Sequence, residues 1–376
     1  MKAVAFGRVM ILAAAVSLGL GGCAAPTATA PQGGQVLNGE ASKDAGQESA
    51  ESQYLRGLAY TLGEEVVQDN KQAVYWYRKS AMQGHAGAQC MLGASYNDGL
   101  GVPQDYKQAV YWYRKSAEQG NAVAQCLLGA AYKFGQGVPQ DYEQAFYWFS
   151  KSAVQEDTDA LFELGSVYFS GRGVQKDKKQ AIQWFKKAAE QGHAVAQFVL
   201  GGLYFEGETV PQDYKQAVYW FSKSAGQEHA EAQYRLGGMY YYGLGVPQDY
   251  KQAVYWYRKS AEQGNAKAQS MVGGGYSRGD GVPQDYKQAV YWYSKSAEQG
   301  NAGAQFGLGI MHAHGNGVLQ NNQQAYAWFS VAVANGAKAA SKFRDEAAGK
   351  LTPEALIEAQ ALAAQYFEQY QPKAEQ

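Results

Sequence analysis

Five histidines are the residues of this chain best suited to metal or acid–base chemistry. His312 and His314 stand on either side of an alanine, and an H-x-H pair of this kind can ligate zinc. No third ligand follows at a suitable spacing, so we interpret the pair as structural and predict no metal site. His85, His193 and His229 each stand beside a helix break, where capping is favoured over a metal or catalytic role.

Two cysteines, Cys90 and Cys126, lie within the body of the chain and are 36 residues apart. If they occupy the same place in neighbouring helical units, the helix axes hold them roughly 8–10 Å apart. A disulfide needs a Cα separation of about 4.4–6.8 Å. We therefore predict buried or half-buried free thiols in place of a bridge.

Signatures of catalysis are absent from the sequence. Arg278-Gly279-Asp280 spells an integrin-type tripeptide, but it falls in an x-G-x turn that recurs along the chain, and chance explains it more simply. There is no H-E-x-x-H and no phosphate-binding loop. We predict no catalytic residues, no cofactor and no enzymatic activity.

The elements that position these residues are copies of one unit. The stretch QDYKQAVYWYRKSAEQGNA at 104–122 returns unchanged at 248–266, and again at 284–302 with Ser294 as the one change. The period is 36 residues, and eight units fit between 50 and 337 without insertion or deletion. A fixed period of 20–50 residues indicates a solenoid or a propeller. One position holds tryptophan in all eight units: Trp76, Trp112, Trp148, Trp184, Trp220, Trp256, Trp292 and Trp328.

Each unit predicts two α-helices. Asp105 is a suitable N-cap for the second helix, which has no Gly or Pro before Gly120, and its buried stripe runs from Ala109 to Ala117 with helical spacing. The first helix, 122–134, has a similar stripe. The G-x-G-V-P-Q-D connection is turn chemistry, and no strand period occurs. The predicted fold class is an all-α solenoid, a right-handed superhelix of eight helical hairpins.

Three motifs recur across about 50–337: A-x-A-Q-x-x-L-G-x-x-Y, G-x-G-V-x-x-D and A-x-x-W-[YF]-x-K-[SA]-A. They resemble the Sel1-like repeats, which are relatives of the tetratricopeptide repeats. The resemblance implies a scaffold that binds other proteins, often in envelope assembly or signalling. Some cysteine-rich relatives have a cysteine pair in each repeat and bind β-lactams or host proteins; this chain lacks those pairs, so nothing from that branch is carried over.

The N-terminus predicts export and lipidation. A positively charged start precedes an apolar run at 9–20 that is too short to span a bilayer, as in a signal peptide. Leu20-Gly21-Gly22-Cys23 looks like the lipobox of bacterial lipoproteins, in which the cysteine thiol receives diacylglycerol. We predict a signal peptide at 1–22, a lipidated Cys23, a flexible tether over 23–49, and an outer-membrane location facing the periplasm. Cleavage near Ala24-Ala25, with loss of the cysteine, is the alternative.

The segment 338–376 predicts C-terminal capping helices and a tail. Thr352 and Pro353 open a helix that runs to about Tyr370, with proline in the first turn. Its apolar stripe can cover the end of the last repeat, as terminal caps of solenoids do. The stripe consists of Leu356, Ala359, Ala363 and Phe367.

The charge of the chain is balanced, with 33 basic and 34 acidic residues. Removing residues 1–22 takes away Lys2 and Arg8 and leaves 31 basic against 34 acidic residues, a net charge of −3. Binding to phosphate groups needs a basic field. The composition therefore argues against nucleic acid or an acidic polymer as the partner.

The units differ most from one another on the outward side of the first helix, at positions such as 123, 126 and 130. In tetratricopeptide-like superhelices the first helix lines the concave side, so this face is the predicted groove. Exposed aromatic clusters commonly mark protein contacts. The alternative is that these rings pack against neighbouring units as core. The predicted partner-binding residues are Phe162, Phe169, Phe198, Phe205, Tyr234, Tyr241 and Tyr242.

A second row of aromatic residues recurs on the second helix, opposite the alanine and tryptophan stripe and among Lys and Arg. We interpret it as structural, with the rings laid along the next helix; stacking on a glycan is the alternative. Gln183 and Ala327 interrupt the row. The row consists of Tyr75, Tyr111, Tyr147, Tyr219, Tyr255 and Tyr291.

These features together predict a non-enzymatic adaptor of the bacterial envelope. It would hold a peptide or helix of an envelope or secreted protein in its concave groove, and contact the membrane through its lipid. One alternative is an inhibitor or immunity protein that blocks a secreted enzyme. A second alternative is a protein that acts on peptidoglycan or β-lactams, which needs a polar site that the sequence does not show.

Overall fold

The computed structural model of the protein describes residues 48–63 and 66–371. In this part of the chain the backbone forms eighteen α-helices and no β-strand. Sixteen helices form eight hairpins, called repeats 1 to 8 below, each with an odd-numbered first helix and an even-numbered second helix. The all-α solenoid of eight hairpins is thereby confirmed. The helices are α1 (Ala50–Leu62), α2 (Asn70–Met82), α3 (Ala86–Asp98), α4 (Tyr106–Glu118), α5 (Ala122–Phe134), α6 (Tyr142–Val154), α7 (Thr158–Ser170), α8 (Lys178–Glu190), α9 (Ala194–Glu206), α10 (Tyr214–Gly226), α11 (Ala230–Tyr242), α12 (Tyr250–Glu262), α13 (Ala266–Arg278), α14 (Tyr286–Ala297), α15 (Ala302–His314), α16 (Asn322–Ala334), α17 (Ala340–Ala348) and α18 (Pro353–Gln369).

An aspartate fixes the start of each second helix from α2 to α14. The Asp105 carboxylate accepts backbone N–H bonds from Lys107 and Gln108, at 2.9 and 3.1 Å. It thus satisfies donors that the first helical turn leaves unpaired. After each second helix the chain turns through a residue with positive φ, which is glycine in six repeats and is Glu156 and Glu228 in repeats 3 and 5.

The turn inside each hairpin depends on glycine. In repeat 3, Gly135 ends α5 with a φ of 68° and donates its N–H to the carbonyl of Ala131. Gly137 has a φ of 74°, and a Cβ there would lie 2.2 Å from the carbonyl oxygen of Tyr106. The turn therefore rests directly on the second helix of the preceding repeat, a contact that only glycine allows.

A glycine facing an aromatic ring closes each hairpin. In repeat 3, a Cβ on Gly129 of α5 would lie 2.8 Å from Cδ1 of Phe149 on α6. The same pairing of first-helix glycine and buried second-helix ring recurs in all eight repeats. The ring packs against the helix backbone, so the two helices of a hairpin approach closely.

Buried polar side chains join the helices within and between repeats. Gln125 of α5 donates from Nε2 to the carbonyl of Ala117 in the preceding repeat, at 3.0 Å, and accepts from Gln155 Nε2 at 2.8 Å. Ser152 donates to the carbonyl of Ala122, at 2.8 Å, and ties α6 to α5. Because these glutamine and serine side chains have hydrogen-bond partners, they specify the helix register without leaving their own donors unsatisfied.

Repeat 4 replaces both polar links with apolar residues. Leu161 stands where the other repeats have the buried glutamine, and Ala188 stands where most of them have the serine. Both are fully buried. As a result, one apolar cluster runs without interruption from Cys126 to Trp220, across repeats 3 to 5.

The C-terminal helix α18 covers the second helix of repeat 8. Tyr366 and Tyr370 lie over Trp328, with ring centroids 4.5 and 5.3 Å away. Ala359 is fully buried as predicted, but Phe367 is 40 % exposed. Phe367 is therefore not part of the packed stripe, because α18 turns the neighbouring Tyr366 towards the tryptophan.

Candidate functional site

The predicted partner-binding rings lie in repeats 4 to 6, on α7, α9 and α11. Phe162, Phe198 and Tyr234 are half-buried. Each packs against the buried ring of its own second helix, with centroid distances of 5.6, 5.9 and 5.7 Å. One side of each ring thus contributes to hairpin packing, as the alternative interpretation has it. Phe162 and Phe198 also stack on His193 and His229, with centroids 4.8 and 4.9 Å apart, so only part of each ring is left on the surface.

The second set of predicted rings lies seven residues further along each helix. Phe169, Phe205 and Tyr241 are half-buried, and Tyr242 is 65 % exposed. Phe205 and Tyr241 each contact the first residue of the second helix in their own repeat, at 5.6 and 5.2 Å. These rings lie in the last turn of each first helix and form the margin of the same face.

The cysteines show that this face is less exposed than the helical wheel predicts. Cys126 occupies the position of Phe162 in repeat 3, yet it is buried, because the small side chain packs into the cluster of repeats 3 to 5. Cys90 and Cys126 are both buried free thiols, as predicted. Burial raises the pKa of Cys90 to about 12 and also raises that of Cys126, so both thiols stay protonated and unreactive.

Two adjoining cavities open on the aromatic face, between the first helices of repeats 5, 6 and 7. One has a volume of about 140 Å³ and contains Tyr234, Tyr242 and Met271 in its wall; the other, of about 220 Å³, contains Phe198. Phe205, Phe221 and Arg235 line both. Of the seven predicted residues, Phe198, Phe205, Tyr234 and Tyr242 border the cavities, whereas Phe162, Phe169 and Tyr241 do not.

Two glycines create this open space. Gly202 lines one cavity and Gly238 the other; a Cβ on Gly202 would meet no atom within 4 Å, and one on Gly238 only the Tyr257 hydroxyl at 3.7 Å. The equivalent residue is Leu58 in repeat 1 and Ile310 in repeat 8. Gly202, Gly238, Arg235 and Met271 were not predicted from the sequence. A small residue at a variable, outward position of the first helix is the signal that could have identified the two glycines.

The cavities are apolar with a charged margin. Arg235 Nε lies 3.3 Å from Glu231 Oε1, and its side chain remains 46 % exposed. Burial raises the pKa of Tyr234 and of Tyr257, which keeps both hydroxyls neutral and able to donate hydrogen bonds. The arrangement can bury apolar side chains of a ligand and orient polar ones at the edge, but it holds no nucleophile paired with a base.

The three histidines at helix breaks are N-caps, as predicted. The Nδ1 atoms of His85, His193 and His229 accept backbone N–H bonds at 3.0, 3.0 and 3.2 Å. Nε2 of His85 faces Glu51 at 2.8 Å, and Nε2 of His193 lies 3.2 Å from a carboxylate of the preceding first helix. The rings of His85 and His193 thereby join two repeats, and the ring of His229 stacks on Phe198 of the preceding repeat, with centroids 4.9 Å apart.

The remaining candidates from the sequence do not form a polar site. His312 is half-buried and His314 is exposed, and among residues 48–63 and 66–371 no group of three or more His, Cys, Asp or Glu side chains could hold a metal ion. Arg278 Nε pairs with Asp280 Oδ2 at 2.6 Å, within the turn that ends α13.

The predicted lipidation site, Cys23, and most of the tether lie outside the described residues. Across the described part of the chain, none of the helices combines the length and the apolar character needed to cross a membrane.

Comparison with known proteins identifies the repeat. The model of the Sel1 repeat matches eight consecutive segments: 50–85, 86–121, 122–156, 158–193, 194–229, 230–265, 266–301 and 302–336. None of the curated proteins matches the chain.

Solved structures agree with this assignment. A Sel1 repeat protein from Oxalobacter formigenes is 33% identical over 79% of this chain and 87% of its own, with a TM-score of 0.58. A protective antigen of uropathogenic Escherichia coli with an SLR fold is 34% identical over 86% and 85% of the two chains, with a TM-score of 0.48. An immunity protein from Pseudomonas aeruginosa is 23% identical over 58% of this chain and 85% of its own, with a TM-score of 0.40. With its eight matched segments and its similarity to the Oxalobacter formigenes protein, the chain belongs to the Sel1 repeat family.

Proposed function

We propose that the protein is a non-enzymatic scaffold that binds a partner protein on the aromatic face of repeats 5 and 6. The observation that carries the proposal is the pair of adjoining cavities formed around Gly202 and Gly238. Aromatic and methionine side chains in fully formed pockets are typical anchors of protein interfaces. The partner would insert apolar side chains of a peptide segment or helix into these two cavities.

We further propose that the scaffold works in the bacterial envelope, held to the outer membrane by lipid on Cys23. The support for this is the lipobox-like Leu20-Gly21-Gly22-Cys23 after a short apolar run. Mass spectrometry of the N-terminal peptide from membranes tests the proposal, with Cys23→Ser as the control. A mature chain that begins at Ala25 or beyond, without acyl groups, would exclude the anchor.

Filling the cavities tests the site. Gly202→Ile and Gly238→Ile introduce the residue that repeat 8 already has at Ile310, so the helices should tolerate the change. Ala94→Ile, at the same position in repeat 2, is the matched control outside the cavities. Crosslinking and affinity capture from intact envelopes would compare these variants with the wild type.

We expect the double glycine variant, and a Phe162/Phe198/Tyr234→Ala variant, to lose a captured partner that the Ala94→Ile variant retains. Circular dichroism first establishes that all variants are folded. Capture of the same partner by every variant would rule out this face as the site. A single captured secreted enzyme, bound one to one, would instead favour the inhibitor form of the scaffold.

A further inference from the structure

Six identical side-chain pairs form a row on the outward face of the second helices. Each of the six row tyrosines, from Tyr75 to Tyr291, is 45–50 % exposed. Each lies edge-on to the following tryptophan, with centroids 4.9–5.2 Å apart and planes at 79–82°. The lysine four residues later holds its Nζ 4.6–5.8 Å from the tyrosine ring centre. Every pair therefore presents one half-exposed ring with a cation over one of its faces.

The hairpin does not need this pair in order to form. Repeat 4 has Gln183 in place of the tyrosine, and its helix α8 keeps the same length as its neighbours. Repeat 8 has Ala327 and Val331 in place of the tyrosine and the lysine, and there α18 packs on α16 and both residues are fully buried. Both members of the pair are thus replaced in repeat 8, whose outward face is covered by α18.

The outward face is also strongly basic. The second helices α2 to α14 carry eighteen Lys or Arg residues and four Glu residues. Their seven N-cap aspartates add negative charge only at the helix starts, where they accept backbone N–H bonds. The balanced charge of the whole chain, which argues against an acidic polymer, therefore does not hold for the second helices, in which basic residues are in excess.

We propose that this outward face binds a linear polysaccharide that carries carboxylate groups. The apolar face of a sugar ring would stack on each exposed tyrosine ring, and the carboxylate of the same or the next sugar would pair with the adjacent lysine. A ligand that repeats along its length suits a receptor that repeats one pair per 36 residues. The proposal is independent of the cavities in repeats 5 and 6.

Three polymers test the two parts of this recognition by titration calorimetry. Polygalacturonate has rings and carboxylates, its methyl ester has rings without charge, and polyglutamate has charge without sugar rings. We expect wild-type protein to bind polygalacturonate, and to bind the other two more weakly by about tenfold or more. Added salt should weaken the binding because the pairs are exposed. Failure to bind polygalacturonate, or equal binding of polyglutamate, would overturn the proposal.

Matched variants locate the binding on the row. Tyr219/Tyr255/Tyr291→Gln uses the chain's own replacement from repeat 4, and Lys223/Lys259/Lys295→Gln removes only the cations. Each variant should lower the affinity for polygalacturonate by about tenfold or more. The Phe162/Phe198/Tyr234→Ala variant of the opposite face should bind as the wild type does. Unchanged affinity in a folded tyrosine or lysine variant would refute the assignment to this row.

Discussion

Adjacent glycines of α9 have opposite surroundings, and this difference can be measured. A Cβ on Gly201 would lie 2.5 Å from Cδ1 of Phe221, whereas Gly202 has open space. We expect Gly201→Ala to lower the free energy of unfolding by about 1–3 kcal/mol because the buried ring must move. We expect Gly202→Ala to raise it by about 0.5–1 kcal/mol, through helix propensity. Urea denaturation compares the two, and destabilisation by both alike would contradict the packing described for the hairpin.

The cap of α11 predicts a dependence of stability on pH. His229 Nδ1 accepts a backbone N–H bond, which a protonated ring cannot do. Burial lowers the pKa of His229, and this outweighs the opposing effect of the Glu231 carboxylate. The folded protein therefore binds fewer protons at this site than the unfolded chain. Its contribution to stability is present above the unfolded pKa of about 6.5 and is lost as pH falls towards the lowered value.

The variant His229→Asn tests this dependence, since asparagine caps the equivalent helices α5, α13 and α15. We expect the loss of thermal stability between pH 7 and pH 5 to be smaller in this variant than in the wild type. His314→Asn, at an exposed position outside the caps, is the control. An unchanged pH profile in His229→Asn would mean that the cap does not titrate in this range.

The last helix, α18, caps the end of the solenoid through a few aromatic contacts. Tyr366 covers Trp328 and donates from its hydroxyl to Gln324 Oε1 at 2.6 Å, whereas the next residue, Phe367, is partly exposed. We expect Tyr366→Ala to cost about 2–4 kcal/mol and Phe367→Ala about 1 kcal/mol or less. Amide hydrogen exchange in α16 compares the local stability of repeat 8 in the two variants. A larger loss for Phe367→Ala would show that α18 packs with another register.

The first and second helices of the repeats have different roles. The second helices have similar sequences in most repeats and there supply the aspartate cap, the buried ring and the serine that joins the hairpin. The first helices vary, and their variation decides where the surface is filled, as by Ile310, and where it is open, as at Gly202. A repeat can therefore acquire a binding surface without losing the contacts that hold it to its neighbours.

Across the whole molecule, stability should be highest in the middle of the solenoid. The apolar cluster from Cys126 to Trp220 joins three repeats, whereas the buried residues of the clusters on either side of it each span two repeats. Because each repeat contacts only its neighbours, such arrays open in parts. We expect amide hydrogens in α6 to α9 to exchange most slowly, and those in α1 and α18 fastest, by mass spectrometry.

The variant Leu161→Gln is the matched test of this central stability. It gives repeat 4 the glutamine found in the other repeats, and so interrupts the apolar cluster. Faster exchange in α6 to α9 is the expected result. Uniform exchange along the wild-type solenoid, or no change in the variant, would contradict a central core.

The sequence by itself determined the local structure. Period, caps and turns are contacts between residues close in the chain or one repeat apart, so Asp105, His85 and the helix at 122–134 could be placed correctly. The helical wheel was wrong where packing between helices decides exposure. Cys126 is buried in the apolar cluster of repeats 3 to 5, and Tyr366, not Phe367, packs over Trp328.

Only the tertiary structure decided the surfaces. The cavities need Gly202 and Gly238 on neighbouring first helices, with rings from second helices beneath them, and no single repeat contains that set. The basic outward face is likewise hidden in a chain of balanced charge until the second helices are aligned side by side. Helix formation depends on local backbone geometry, whereas a surface depends on how separate helices are placed next to one another in space.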